Sequence, residues 1–275
     1  MSNKKIGLIA GNKRLPFQFT DWAKRHGRDL YIIGIKGEVD EKLKNEVAAD
    51  RYRDFYVCEI SKSAKFLKQN GIDEIVMIGG VAAAKLKLNI DIIKIAFRLL
   101  FMKNKHKGVF TIILSMFEKG GVKVRAIQDF MTDLIIGEGS LGKIKPKEED
   151  IAGFNKNLTK ILDYIGTGSG QAVIIYKEEI IAYENFKGTD DTARRAAAKR
   201  AEMGAKSGGV MVKIMEPGQD SRVDLPVVGT KTIETIAKYG FDGVIVEAQR
   251  AITDNTADTI KLANEKGIFV YGVRI

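Results

Sequence analysis

The densest concentration of reactive side chains is Lys213-Ile214-Met215-Glu216-Pro217-Gly218-Gln219-Asp220-Ser221-Arg222-Val223-Asp224-Leu225-Pro226, where carboxylates, cations and an amide follow an apolar run. Carboxylates near Lys213 and Arg222 could hold Mg²⁺ and activate water while the cations neutralise a phosphate, the parts that phosphoryl hydrolysis needs. A Pro-Gly turn with exposed ion pairs has similar letters, and composition leaves both readings open. A second candidate is Phe186-Lys187-Gly188-Thr189-Asp190-Asp191, which opens a helix carrying Arg194 and Arg195. Four-residue spacing from Asp190 and Asp191 favours surface ion pairs, and Thr189 or Asp190 is a natural N-cap. The same residues describe a phosphate cradle of helix-start N–H groups with arginines nearby, and the two readings are compatible. A third is Gly7-Leu8-Ile9-Ala10-Gly11-Asn12, which lacks the three-glycine dinucleotide spacing; no Gly-Lys-Ser/Thr phosphate loop exists either. Gly11 either lets a ligand approach the backbone beside Asn12 or serves only a tight strand-to-helix turn.

Only His26 and His106 supply imidazoles, and Cys58 is the single thiol. A disulfide scaffold, a zinc ribbon and multi-histidine metal chemistry are thereby disfavoured, which leaves a hard cation held by carboxylates and phosphate oxygens.

The elements that must position these groups are legible from apolar runs and breakers. Lys5–Ala10, Leu30–Gly34 and Glu74–Ile78 predict strands; Pro16–Arg25 and Ser61–Asn70, the latter with Ser61 as a candidate cap, predict helices between them. That alternation predicts a parallel, doubly wound sheet over about the first 125 residues, with ligands beyond the Gly11 and Gly79-Gly80 turns. The Gly- and charge-rich stretch 137–147 reads as a loop leading into a linker. Beyond it, helices near Glu149–Ile165, Asp191–Met203, Thr230–Tyr239 and Thr256–Lys266 alternate with strands Ala172–Tyr176, Ile180–Asn185, Gly209–Ile214, Gly243–Val246 and Ile268–Val273. The expected fold class is α/β in two domains: a Rossmann-like parallel sheet over 1–137 and a catalytic α/β domain over 138–275, with a linker at about 138–148 and a substrate cleft between them.

The chain has 275 residues, enough for two domains, with 45% apolar and 29% charged residues. Its 45 Lys and Arg exceed its 35 Asp and Glu, leaving +10, which attracts phosphorylated small molecules, anionic membrane surfaces or polyanions. The apolar run after the basic N-terminus is too short for a signal core, and Asn89–Met102, broken by Lys94 and Arg98, is too short to span a bilayer. A cytoplasmic protein is expected. The oily face of 89–102 is read as a core helix ahead of an acyl groove or a peripheral contact with an inner membrane leaflet.

Taken in order, Gly-Leu-Ile-Ala-Gly with Leu15-Pro16, Glu138-Gly139-Ser140-Leu141-Gly142, Gly188-Thr189-Asp190, and Pro217-Gly218-Gln219-Asp220-Ser221-Arg222-Val223-Asp224-Leu225-Pro226 with Gly229 resemble the LpxI-type UDP-2,3-diacylglucosamine pyrophosphatases. Val246-Glu247-Ala248 and Ile268–Val273 sit in the same family order. The resemblance implies Mg²⁺-dependent hydrolysis of UDP-2,3-diacylglucosamine to UMP and 2,3-diacylglucosamine 1-phosphate in lipid A biosynthesis. It implies Asp224 as the essential carboxylate and metal ligand, with Asp220 and Lys213 beside it in catalysis. Gly11, Asn12, Gly188, Thr189, Asp190, Arg194 and Arg222 are the implied substrate contacts. At Gly79-Gly80-Val81-Ala82-Ala83-Ala84 the chain departs from the family pattern, where an Asn or Lys and an Arg-Pro pair are expected. The alternatives are a non-catalytic binder of a nucleotide or phosphorylated lipid and, last, a nucleic-acid binder, for which no RNA-binding motif is present. No nucleic-acid partner is expected, and the oligomeric state is left between monomer and homodimer.

Overall fold

The computed structural model describes residues 4–80, 105–223 and 225–275. The stretch 89–102 and Asp224 lie outside the described residues. The chain divides into two compact units: Met1–Met131 with Asp220–Val223, and Thr132–Gln219 with Asp224–Ile275.

In the first unit β1 (Lys5–Ala10), α1 (Leu15–Arg25), β2 (Asp29–Ile35), β3 (Tyr52–Phe55), α2 (Ile60–Gln69), β4 (Glu74–Ile78), α3 (Lys105–Lys119) and β5 (Lys123–Arg125) follow one another. The strands form one sheet in the order β3-β2-β1-β4-β5, parallel throughout as the alternation predicts. Order reverses between β1 and β4, so the crevice outside their carboxyl ends, at Gly11 and Gly79, is where an open α/β sheet receives ligands. Ile9, Ile33, Leu67, Ile75, Leu114 and Phe117 fuse α2 and α3 to the sheet as one core. Ser61 is not the α2 cap; the helix already begins at Ile60, with Glu59 at the cap position.

The second unit has a sheet in the order β6-β13-β11-β9-β7-β8. Its members are β6 (Gly139–Ser140), β7 (Ala172–Tyr176), β8 (Glu179–Tyr183), β9 (Val210–Lys213), β11 (Gly243–Glu247) and β13 (Phe269–Val273). Stretch 137–147 is therefore more than a connector, because Gly139 and Ser140 pair antiparallel with β13. One face packs α4 (Glu148–Ile165) through Phe154, Ile161 and Ile165, and the core of the other contains α5 (Gly188–Glu202), α6 (Thr230–Lys238) and α7 (Thr256–Lys266) residues. Strands covered on both faces read as continuous apolar runs, as β7, β9 and β11 do. A short pair, β10 (Val227–Val228) and β12 (Ile252–Thr253), lies outside the main sheet.

Arg200 is buried at 3% exposure, yet it is a structural cation. Its guanidinium donates to the carbonyls of Lys206, Gly208, Tyr239 and Gly240 and lies 4.7 Å from the Phe241 ring centre, tying two loops at the amino ends of β9 and β11. Burial lowers its pKa against the attraction of its surroundings, a cost that the four carbonyls on Nη1 and Nη2 offset, although Nε is buried without a partner. Among the described residues no helix is long and apolar enough to cross a membrane.

Candidate active site

Strand register brings several of the expected residues to one edge of the second sheet. Lys213 pairs with Ala172 on one side and Val246 on the other; Val246 pairs with Gly272, and Val173 with Tyr183. Because β8, β9, β11 and β13 run in one direction, this row is their common carboxyl end. The Glu184 amide closes it by donating to Ala172 O at 2.9 Å. The turn leading to Gly188-Thr189-Asp190 and the loop after Lys213 therefore leave the sheet at the same edge.

The turn into α5 corrects the expected cap. The cap position is Lys187, with no side-chain bond, and helix begins at Gly188 with φ +81°, a left-handed conformation that favours glycine. Thr189 lies inside the first turn and donates from Oγ1 to Glu184 Oε1 at 2.6 Å, while Gln171 N donates to Glu184 Oε2 at 2.8 Å. Asp190 instead faces α6: Thr235 Oγ1 donates to it at 2.8 Å and Lys231 Nζ lies at 3.1 Å. Partial burial pulls the Asp190 carboxyl upward, but Thr235 and Lys231 together hold it below its usual value. Arg194 and Arg195 both pair with Asp191, at 2.7 and 2.9 Å, and Arg195 also donates to Tyr183 O at 2.6 Å. Arg195 is thereby held between its own helix and the preceding strand, whereas Arg194 engages Asp191 through Nη2 alone and is largely exposed. Lys213 Nζ donates to Val227 O at 3.0 Å, fastening the end of β9 to β10.

Beyond that edge, β10 and β12 run in register, Val228 opposite Thr253, so Gly229 and Asp254 follow side by side. A Cβ on Gly229 would stand 2.2 Å from Asp254 Oδ2, so the missing side chain makes room for this carboxylate. Asp254 Oδ1 is buried and has no hydrogen-bond partner. Sequence reading missed Asp254 and Glu184; Gly229 was the available signal for the first, and none marked the second.

In the first unit Gly11 N donates to Ile78 O and Asn12 N to Gly80 O, at 2.8 and 2.9 Å. A Cβ on Gly11 would come 2.3 Å from Gly80 O. The close approach that Gly11 permits is thus to the neighbouring backbone, which supports the tight-turn reading, and Asn12 Nδ2 is donated to Glu38 at 3.0 Å.

Within the motif loop Glu216 is buried and Gly218 turns the chain at φ +76°. Arg222 spans both oxygens of Asp220, with Nε at 2.9 and 3.1 Å and Nη2 at 2.6 Å, and Nη1 reaches Glu118 at 2.7 Å. Arg222 thereby holds the Asp220 carboxyl below its ordinary value, and the Arg222 pKa is raised in turn. Asp224, the residue on which the resemblance places the chemistry, is outside the described residues.

Among the described residues no group of three or more His, Cys, Asp or Glu side chains gathers to hold a metal. Asp220 is a poor metal ligand because Arg222 occupies both of its oxygens. The open, buried Oδ1 of Asp254 is the kind of oxygen a hard cation takes, and Mg²⁺ commonly needs only one or two carboxylates with substrate phosphates and water. The donor chemistry therefore fits Mg²⁺.

Comparison with known proteins agrees with this architecture. A model described as the LpxI N-terminal domain matches residues 5–134, and one described as the LpxI C-terminal domain matches 137–271. The chain is 28% identical over 279 aligned positions to a Caulobacter vibrioides protein named UDP-2,3-diacylglucosamine pyrophosphatase LpxI, with 98% of each chain covered.

Proposed function

The chain belongs to the LpxI family, and from that premise we propose that it hydrolyses the pyrophosphate of UDP-2,3-diacylglucosamine to UMP and 2,3-diacylglucosamine 1-phosphate. The observation that carries this reading is the end-to-end match to a protein of that name, 98% of each chain. The local chemistry supports it. Lys213 brings positive charge to the carboxyl edge of the sheet, where Thr189 and the motif loop also emerge, as a polyanionic substrate requires. Asp224 is assigned as the essential carboxylate that orients the attacking water. Mg²⁺, held by Asp224 with Asp254 as a further oxygen donor, would neutralise phosphate charge when bound.

The test is direct. Purified protein with UDP-2,3-diacylglucosamine and Mg²⁺ should release UMP, and EDTA should stop it. Asp224→Asn should lower kcat by about a thousandfold or more while substrate still binds, because the group acts in the transition state. Retained binding with no UMP from the wild type would instead make this chain a carrier.

A further inference from the structure

We propose that Glu118 is a positioning residue for the reaction, anchoring Arg222 and with it the loop residues that immediately precede Asp224 in the sequence. The inference rests on the pyrophosphatase reading and reassigns Arg222 from a substrate contact to a structural clamp.

Four consecutive loop residues, Asp220–Val223, belong to the first unit although the chain on both sides of them belongs to the second. Ser221 O accepts from Gln128 Nε2 at 3.3 Å, and Val223 packs against the first unit's core. Arg222 has all three guanidinium nitrogens engaged: Nε and Nη2 on Asp220, Nη1 on Glu118 at 2.7 Å and on Val124 O at 3.4 Å. A guanidinium filled in this way has little left to offer a phosphate. Glu118 also breaks a local rule, since it stands in the last turn of α3, where the helix dipole disfavours a carboxylate. A residue that is locally unfavourable and pairs 104 positions away is explained by its tertiary partner. The residue after Val223 is Asp224, so the last anchored position adjoins the assigned carboxylate.

The experiment compares Glu118→Ala, Glu118→Gln, Arg222→Ala and the double variant by steady-state kinetics and by amide hydrogen exchange over 216–226. Glu118→Ala should lower kcat about tenfold to a hundredfold with KM within about threefold, the pattern of a displaced catalytic group. Glu118→Gln, which still accepts a hydrogen bond, should recover part of the rate. The double variant should be no slower than Arg222→Ala, because both changes remove one interaction. Exchange over 216–226 should quicken in Glu118→Ala. Wild-type kinetics and exchange in Glu118→Ala, with a raised KM in Arg222→Ala alone, would overturn the clamp and return Arg222 to the phosphates. If the wild type shows no turnover, the pyrophosphatase reading has failed and takes the positioning role with it; the exchange measurement then decides only whether Glu118 anchors the loop.

Discussion

Thr189 Oγ1 lies 2.6 Å from Glu184 Oε1 and donates its proton there. A hydroxyl committed in this way turns its lone pairs outward, so it meets a phosphate oxygen only through a donor such as water or a cation. It also leaves the helix start without the cap its residue type suggests.

Thr189→Val removes a donor from the half-buried Glu184 carboxylate and should cost about 1 kcal/mol, lowering Tm by about 2–6 °C. We expect kcat/KM to fall about tenfold as well, with Thr189→Ser restoring both, if the proposed phosphate role of this turn holds and the hydroxyl orders it. Melting and kinetics on one preparation decide it. A lower Tm with unchanged kcat/KM would reduce Thr189 to a fastening of the turn.

At Gly11 a methyl group would press on the Gly80 carbonyl at 2.3 Å and on Gly79 C at 2.9 Å, both backbone atoms that cannot swing aside. Gly11→Ala should therefore destabilise the protein by about 1–3 kcal/mol or more, read as a lower urea midpoint. A stable Gly11→Ala protein with a raised KM would show that the glycine serves a ligand instead.

Acid stability should report on the clamp. Arg222 holds the Asp220 carboxyl below its ordinary value, so the unfolded chain binds more protons at Asp220 as pH falls. The stabilisation is fully present above the unfolded carboxyl pKa of about 3.9 and is lost as pH falls through the folded value. Arg222→Ala should lose less stability than wild type between about pH 4 and pH 2. Parallel curves of urea midpoint against pH would remove the Asp220–Arg222 pair from the acid response.

Much of the scaffold was legible without coordinates. β1, β4, β7 and α7 have the expected bounds, and β2, β9, β11 and β13 lie within a residue of them. Each is a local apolar run ended by glycine or a polar turn, and burial on both faces makes such a run visible in any window. β3 and β5 were not legible. Tyr52-Arg53-Asp54-Phe55 and Lys123-Val124-Arg125 carry polar letters and are strands only because β2 and β4 offer them edges. Gly139-Ser140 looked like linker for the same reason, and β13 makes it a strand.

At the candidate site the sequence by itself determined which charges and hydroxyls were available and, through the order of its motifs, which family the chain belongs to. Tertiary structure alone decided their partners. Thr189 could have capped its helix but meets Glu184, Asp190 could have paired along α5 but meets Thr235 and Lys231, and Arg222 meets Glu118 from 104 residues away. Helix and strand periods follow from short-range sterics and burial, which a few neighbouring residues specify. The choice of hydrogen-bond partner is degenerate among many donors and acceptors until the packed backbone brings one of them within about 3 Å.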